Sequence, residues 1–324
     1  MTVRFIRLWL LIVTLLTGGM MALNAYVDPL WLFDHSNIWN VRQWGFDERQ
    51  QKINRIEFGG PLMADALLLG SSRSTYISAA DFQNNQVFNL AASGMRPSEF
   101  GDYIAFAEGK HGRPFEVIYL GLDFFATNML NMSQAEPAIA YIRRAQSPLY
   151  RLESLLSYDS FNNTRRYIRD SLAVEGCDCY DRTLRKQRPI RASADREAAL
   201  ADDLGMYRST VYGKYQYDPY YLSTLRNLKE RFPRTRFILF TTPESAVLFD
   251  LLVTLGLRDD YERWLAEIIA IFGELYDFMG HNSITNNPEN YADGHHFYPP
   301  VGALIAARLE GRPIPVSDFG VLRK

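Results

Sequence analysis

An uncharged apolar run near the amino terminus limits what this chain can fold into. Residues 8–27 form a stretch of 20 residues without Asp, Glu, Lys or Arg. At 1.5 Å per residue, a helix of that length crosses about 30 Å, the thickness of a bilayer's hydrocarbon core. A buried core helix is the alternative, and it is disfavoured because no face of the segment is polar. The sequence therefore predicts a transmembrane anchor over residues 1–27.

The charges around this run predict its orientation. Arg4 and Arg7 precede it, whereas the first charged residues after it are Asp28 and Asp34. The positive-inside rule then leaves the short amino end in the cytoplasm. The expected product is a single-pass protein of the cytoplasmic (inner) membrane, with the bulk of the chain on the periplasmic or extracellular side. A cleaved signal peptide is the alternative, although residues 22–25 offer no good small-x-small cleavage site.

Composition excludes several other classes. With 47% hydrophobic and 22% charged residues, the chain is not mainly disordered. Its net charge of −2 provides no global basic field, so we expect no nucleic-acid partner. Cys177 and Cys179 are too few for a disulfide framework or a four-cysteine zinc site. We expect ordinary surface cysteines, with a small redox or metal feature as the alternative, and we predict no cofactor and no metal.

Short apolar runs closed by Gly, Thr or Pro predict the fold class. Such runs are typical of buried parallel strands, and segments with helical periodicity separate them. The alternation predicts an α/β domain with a parallel sheet of about five strands, covered on both faces. The expected strands lie at 66–70, 86–90, 117–121, 237–241 and, more weakly, 275–279.

Two segments do not fit this alternation. Residues 28–60 are predicted to connect the anchor to a domain at 61–324. Residues 128–220 are longer than a normal crossover, and we interpret them as a helical and irregular insertion on top of the sheet that shapes a substrate groove. The second half of the insertion, 182–202, is dense in charge, so a solvated excursion without a role is an equal alternative there.

The first candidate functional residue is Ser72, in the sequence Gly70-Ser71-Ser72-Arg73. The motif follows the first predicted strand, where a helix is expected to begin. A serine at that position lies at the carboxyl edge of the sheet, and free N–H groups and the helix dipole would stabilise negative charge beside it. That environment suits a nucleophile whose reaction develops an oxyanion. A serine-capped structural turn is the alternative.

The second candidate is the pair Asp293 and His296, near the carboxyl end. An Asp three residues before a His can accept the imidazole N–H and leave the other ring nitrogen free as a base. We expect Ser72 Oγ about 3–4 Å from His296, and we expect His295 to point elsewhere because neighbours on an extended loop alternate. A metal site, or a loop histidine satisfied by hydrogen bonds, is the alternative.

Together these motifs on a parallel α/β sheet resemble the SGNH/GDSL hydrolase family. The resemblance covers most of residues 62–310 outside the insertion. It implies a three-layer, flavodoxin-like fold with Ser72 as nucleophile, His296 as base and Asp293 orienting it. In the second family block, Gly94 matches the glycine that donates to the oxyanion. The membrane anchor narrows the resemblance to cell-envelope proteins related to alginate O-acetylation and teichoic-acid D-alanylation.

The third family block is altered here. It is Gly-x-Asn-Asp in the family, but Asp123 stands where the donor Asn is expected, and a carboxylate cannot donate to an oxyanion. Either Asn128 or Arg73 replaces that donor, or Asp123 has a structural role. Arg73 is also a candidate for binding a sugar carboxylate or phosphate, with an ion pair to Asp123 as the alternative.

Two functions follow as hypotheses. The first is an extracytoplasmic serine acyl-ester hydrolase or O-acyltransferase acting on a cell-envelope glycan, with that glycan or an acyl-donor protein as its partner. The second is a catalytically inactive binding or scaffold protein of an envelope polysaccharide assembly complex, which the altered third block favours.

The orientation can be tested with fusions after Lys324. A reporter that is active only outside the cytoplasm should be active there, because the acidic side of the apolar run is predicted to be translocated. A reporter that works only in the cytoplasm should be silent at the same junction. Activity of the cytoplasmic reporter would reverse the predicted orientation.

Overall fold

A six-stranded sheet is the centre of the fold in the computed structural model, which describes residues 2–131, 135–171 and 177–324. The strands, in chain order, are β1 (Arg42–Gln43), β2 (Ala66–Leu69), β3 (Val87–Asn89), β4 (Val117–Leu122), β5 (Cys179–Asp181), β6 (Lys186–Gln187), β7 (Arg236–Thr241), β8 (Leu275–Asp277) and β9 (Val321–Arg323). The central sheet has the order β3-β2-β4-β7-β8-β9.

The predicted mostly parallel sheet is confirmed. All five expected strands are present. Neighbouring strands are parallel throughout the part of the sheet formed by β3, β2, β4, β7 and β8. The sheet has six strands rather than about five, because β9 adds an antiparallel edge to β8. This strand is only three residues long and all three are exposed, so it is too short to read as a buried apolar run in the sequence.

Helices cover both faces of the sheet. The helices are α1 (Thr2–Val27), α2 (Glu48–Phe58), α3 (Pro97–His111), α4 (Ala138–Gln146), α5 (Tyr150–Leu156), α6 (Tyr158–Ser171), α7 (Ser193–Met206), α8 (Tyr221–Arg231), α9 (Ala246–Thr254), α10 (Arg258–Phe272) and α11 (Pro299–Leu309). In β2, Leu67 and Leu69 pack in the cluster with α3, α8 and α10, and Leu68 packs in the cluster with α11. Burial of both strand faces explains why the strands read as continuous apolar runs.

Helix α1 is apolar and long enough to cross a membrane. The span Val3–Val27 has a mean hydropathy of 1.9. The side chains of residues 3–16 are exposed, whereas Asn24 and Val27 are buried against the rest of the protein. The domain therefore begins to cover α1 before the helix ends.

The segment at 28–60 is more than a connection. It contains α2, in which Glu48, Lys52 and Asn54 are buried among other polar side chains. Strand β1 pairs with β5 of the insertion in a small antiparallel sheet, β1-β5-β6. This segment therefore packs with the rest of the domain and does more than connect it to α1.

The insertion begins with α4 and α5, in line with its predicted helical content, and continues with α6, the small sheet and α7. Cys177 and Cys179 form a disulfide in this region and Cys179 is buried, so the expectation of ordinary surface cysteines is wrong. Helix α7 buries none of its side chains fully, which explains its charged sequence. It nevertheless contacts the histidine loop, as described below, so this part of the insertion is packed on the domain and not only a solvated excursion.

Candidate active site

Ser72 lies at the carboxyl edge of the sheet, just after β2. The parallel strands β2, β4 and β7 all end at this edge, so residues that follow them meet there. The backbone turns at Ser72, whose carbonyl accepts from the Thr75 N–H at 3.2 Å. The helix that follows is a single 3₁₀ turn, Ser74–Tyr76, rather than the expected longer helix. Stabilisation by a helix dipole is therefore not available here, because a macrodipole needs several aligned turns.

A glycine on α11 brings the two candidate motifs together. A Cβ added at Gly302 would clash with the Tyr76 carbonyl oxygen, so a larger residue would push α11 away from the Ser72 turn. Helix α11 begins at Pro299, three residues after His296. The close approach of α11 to this turn thus places the histidine loop over Ser72.

The structure joins Ser72, His296 and Asp293 in one hydrogen-bonded chain. Ser72 Oγ lies 2.9 Å from His296 Nε2, and His296 Nδ1 lies 2.9 Å from Asp293 Oδ2. The other carboxylate oxygen of Asp293 accepts the His296 backbone N–H at 2.7 Å. This is the geometry in which a carboxylate orients an imidazole and the imidazole can take a proton from a serine hydroxyl.

Electrostatics keep the two ionisable groups in the forms that such a relay needs. Burial and the neighbouring His295 together lower the pKa of His296 to about 3, although Asp293 opposes both. Burial would raise the pKa of Asp293, but the hydrogen bond and charge of His296 outweigh it and hold that pKa well below its ordinary value. The imidazole is therefore neutral and the carboxylate ionised near pH 7.

His295 has a separate carboxylate partner. Its Nδ1 lies 2.9 Å from Asp203 Oδ2 on α7, and the same oxygen accepts the Gly294 N–H at 2.8 Å. Within the described part of the chain, His295 makes no hydrogen bond to Ser72, as expected. It does not point away from His296, however, because the two ring centroids are 4.0 Å apart. The tight Asp-Gly-His-His turn aligns the rings side by side instead of alternating them.

The insertion supplies further contacts that the sequence did not reveal. Arg188 Nη1 lies 3.4 Å from Asp293 Oδ2, and the Arg188 guanidinium also pairs with Asp178 at 3.0 Å. Asp178 lies between the two disulfide cysteines and accepts the Tyr76 hydroxyl at 2.9 Å. The Tyr76 ring in turn meets the His296 ring edge-on, with centroids 5.9 Å apart. The insertion thus encloses the acidic end of the hydrogen-bonded chain.

Two backbone N–H groups on the loops that follow β2 and β3 are unpaired within the described residues. In residues 2–131, 135–171 and 177–324, no acceptor bonds to the N–H of Ser72 or of Gly94. Gly94 has φ +62°, a left-handed conformation that favours glycine. Unpaired N–H groups on the loops after neighbouring strands are the donors that an oxyanion requires.

Helix α2 holds the loop that presents Gly94. Glu48 accepts the Ser93 N–H at 2.6 Å and the Ser93 hydroxyl at 2.7 Å, and Arg49 donates to the Ser93 carbonyl at 2.8 Å. The fully buried amine of Lys52 donates to the carbonyl of Ala91. These bonds pair the polar groups of Ser93 and the carbonyl of Ala91, whereas the Gly94 N–H stays unpaired within the described residues. The helix lies in the segment predicted to be only a connection, so its role was missed.

The charged groups of Glu48 and Lys52 are both buried beside this loop. Burial lowers the pKa of Lys52 to about 7. Burial opposes ionisation of Glu48, but Lys186 and Lys52 outweigh it and lower its pKa to about 2. Lys186 Nζ lies 3.1 Å from Glu48 Oε1, and the Tyr180 hydroxyl donates to that oxygen at 2.6 Å. Glu48 is therefore an anion with several fixed donors, so it restrains the loop strongly.

Arg73 does not reach a substrate. Its side chain is 1% exposed and lies 3.1 Å from Glu244 and 3.4 Å from Asp123. It also donates to the Tyr207 hydroxyl at 2.9 Å. The predicted substrate-binding role is wrong, because burial and these partners leave the guanidinium no access to a sugar carboxylate or phosphate. The alternative, an ion pair with Asp123, is the one observed.

Neither Asp123 nor Asn128 is free to contact an oxyanion. Asp123 pairs with Arg73 and accepts the Thr242 hydroxyl, so its role is structural. The fully buried Asn128 amide donates to the carbonyls of Val211 and Lys214 and accepts the Leu130 N–H. Its placement as a donor is wrong, since the base of the insertion uses that amide.

Asp293, His295 and His296 also form a group that could hold a metal ion. One ligand atom from each lies within 4.8 Å of the others. Three side chains are the number that a catalytic zinc site provides. However, both His296 nitrogens already face Ser72 and Asp293, and His295 Nδ1 faces Asp203. Metal binding would replace the serine–histidine bond, so the observed arrangement favours the metal-free relay.

Restraint of the Gly94 loop by α2 can be measured without any assay of function. In Glu48→Gln, the charged acceptor of the Ser93 N–H is lost, and Lys52 and Lys186 lose their anion. We expect amide exchange in residues 91–93 of the full chain to accelerate roughly 10- to 150-fold, since a bond to a charged group contributes about 1.5–3 kcal/mol. Hydrogen exchange read by mass spectrometry measures this.

Arg55→Gln is the matched control for that experiment, because Arg55 lies on the same helix and pairs with the exposed Asp34. Exchange in the loop should be unchanged in this variant. Equal exchange in Glu48→Gln and wild type would show that Glu48 does not hold the loop.

A scan against protein-family models found no match, and a search of curated proteins found no similar sequence. The functional argument for this chain therefore depends on its own motifs and on the geometry of the site.

Proposed function

We propose that this protein is an extracytoplasmic serine acyl-ester hydrolase or O-acyltransferase that acts on a cell-envelope glycan. The observation that carries the proposal is the continuous chain from Ser72 Oγ through His296 to Asp293, with 2.9 Å at each step. Ser72 follows the first strand of the central sheet and His296 precedes the last helix, as the resemblance to SGNH/GDSL hydrolases implies. The finer, flavodoxin-like assignment of the fold is part of this proposal.

In the first half of the reaction, Ser72 Oγ attacks the acyl carbonyl carbon and its proton passes to His296 Nε2. Asp293 stabilises the imidazolium that forms. The N–H groups of Ser72 and Gly94 donate to the oxyanion of the tetrahedral intermediate. When this intermediate collapses, the bond from the carbonyl carbon to the alcohol oxygen breaks. The leaving oxygen takes the proton from His296, and the acyl group remains on Ser72.

In the second half, a hydroxyl group resolves the acyl-enzyme. Water or a glycan hydroxyl loses its proton to His296 and attacks the acyl carbon. The bond to Ser72 then breaks, and Ser72 recovers the proton. Water gives hydrolysis and a free acid, whereas a glycan hydroxyl gives transfer and a new ester. An acyl-donor protein is the partner that transfer requires.

Two features support placing this chemistry outside the cytoplasm. Helix α1 provides a membrane anchor, and Arg4 and Arg7 precede its uncharged part. The Cys177–Cys179 disulfide fits an oxidising compartment, because cytosolic thiols are kept reduced. Envelope glycans are present on that side of the membrane.

A non-catalytic scaffold is the second candidate, and the third family block favours it. Asp123 occupies the place of a donor Asn and is bound in an ion pair with Arg73. The oxyanion is then left with backbone donors only. Loss of one oxyanion donor raises the barrier by roughly 3–4 kcal/mol in a serine protease. A site with backbone donors alone would therefore react more slowly but would still be active.

Covalent labelling distinguishes the two candidates. The full chain in detergent should react with a serine-directed fluorophosphonate probe, because His296 is placed to take the proton of Ser72. Replacing Ser72 with Ala should abolish labelling. The full chain is preferable to a fragment that starts at residue 28, because Asn24 and Val27 of α1 are buried against the domain.

Ser71→Ala is the matched control, since Ser71 is the adjacent buried serine and makes no contact with His296 within the described residues. It should label at nearly the wild-type rate. A folded wild-type chain that does not label, cleaves no activated acetate ester and transfers no acyl group would favour the scaffold instead.

The low pKa of His296 predicts an unusual pH profile. With a pKa of about 3, the base remains neutral at pH 5, so the labelling rate should fall less than about twofold from pH 8 to pH 5. A histidine with the ordinary pKa near 6.5 would lose about 30-fold over that range. Since His295 lowers the pKa of His296, His295→Gln should shift the acid limb to higher pH.

Initial labelling rates in constant-ionic-strength buffers measure this profile, with circular dichroism to establish that the chain stays folded. A wild-type limb centred at pH 6.5 or above would contradict the depressed pKa.

A further inference from the structure

Helix α1 enters the domain while still within its uncharged run. The Asn24 side chain donates to the Leu155 carbonyl at the end of α5, with 2.9 Å between donor and acceptor. Asn24 lies three residues before Val27, where the run ends, so this contact is about 4.5 Å short of that end along the helix. If the run of 20 uncharged residues spans the roughly 30 Å hydrocarbon core, then α5 touches α1 at the membrane boundary.

Exposed apolar side chains lie on the segments that contact the end of α1. Leu149, Leu152, Leu156 and Tyr158, on and beside α5, are 57%, 47%, 42% and 67% exposed. On the other side, Ile38 is 71% exposed and follows Asn37, whose side chain donates to the Tyr26 carbonyl. We call these five residues the collar: Ile38, Leu149, Leu152, Leu156 and Tyr158.

The collar leucines of α5 face away from the domain, as a membrane contact requires. In α5, Tyr150 and Ser154 are buried against the domain. At 100° per residue, Leu152 and Leu156 lie on the opposite face of the helix. Both are close in sequence to Leu155, whose backbone carbonyl contacts α1. The leucine side chains therefore project away from the domain, beside the anchor.

Charged residues beside the collar are compatible with an interfacial position. Arg151 stacks over Phe58, with its guanidinium carbon 4.2 Å from the ring centroid, and donates to the Leu32 carbonyl. Glu153 flanks the leucine face and is exposed to solvent. Charged groups at the sides of an apolar helix face remain in the headgroup region while the face itself enters the lipid.

We propose that the collar rests in the leaflet where α1 leaves the membrane, so that the lipid surface is a second, peripheral contact of the domain. The proposal depends on α1 being a membrane anchor but not on the chemistry of Ser72. A second copy of the chain is the other possible occupant of this face, and the test below separates the two.

Spin labels in the full chain, reconstituted in vesicles of phosphatidylethanolamine and phosphatidylglycerol, test the proposal. Single cysteines replace Leu152 or Leu156, while Cys177 and Cys179 are paired and do not react. Collision with oxygen, which concentrates in lipid, is compared with collision with a water-soluble nickel chelate. We expect an oxygen-to-nickel ratio at least threefold above that of a label at Ile190, a control residue of the insertion that is 79% exposed.

A label at Leu11, within the exposed part of α1, gives the value for the bilayer interior. Ratios at Leu152 and Leu156 equal to the Ile190 value, with Leu11 immersed, would overturn the collar while leaving the anchor intact. Low collision with both reagents, with dipolar broadening between labels, would show a second copy instead and would also overturn it. A Leu11 label that is not immersed would refute both anchor and collar, and fluorophosphonate labelling would remain a separate test of Ser72.

Discussion

The buried guanidinium of Arg73 organises the carboxyl edge of the sheet. It follows Ser72 directly and contacts Asp123 after β4, Glu244 after β7 and Tyr207 in the insertion. Removing a cation from water costs several kcal/mol unless partners compensate, so these acceptors must stay around it. The turn that carries Ser72 is thereby tied to the ends of two other strands. The same requirement explains why an acid stands at position 123, where an oxyanion donor was expected.

A second set of buried charges supports the other side of the site. Glu48, Arg49 and Lys52 hold the loop before Gly94 through its backbone groups, and Lys186 and Tyr180 of the insertion complete the shell of Glu48. Helix α2, which precedes β2, and the insertion, which follows β4, thus both support the loop before Gly94. Preorganised N–H groups contribute to catalysis only if they do not move during the reaction, and this shell provides that rigidity.

The sequence predicted the strands and the meeting of Ser72, Asp293 and His296, because parallel strands end at one edge and each motif directly follows or precedes a regular element. It did not predict the partners from the insertion. Arg188 and Asp203 reach the histidine loop across about a hundred residues, and their placement depends on tertiary packing with no local signal. The burial of Arg73 is likewise a tertiary property. From the sequence alone, an arginine beside a nucleophile is equally compatible with a substrate ligand and with a buried ion pair. The exposed edge strand β9 and the single 3₁₀ turn after Ser72 are too short to leave a periodic pattern.

The integration of residues 28–60 into the domain affects how the site relates to the membrane. A flexible tether would let the domain sample a wide shell above the bilayer. Here α1 is itself partly buried in the domain, and α2, which follows it, is bonded to the Gly94 loop. Helix α1, helix α2 and the loops that carry Ser72 and Gly94 therefore belong to one packed unit. Under the proposed function, with α1 in the membrane, this packing would hold Ser72 at a fixed height above the lipid, so a glycan would be modified only where it passes that level.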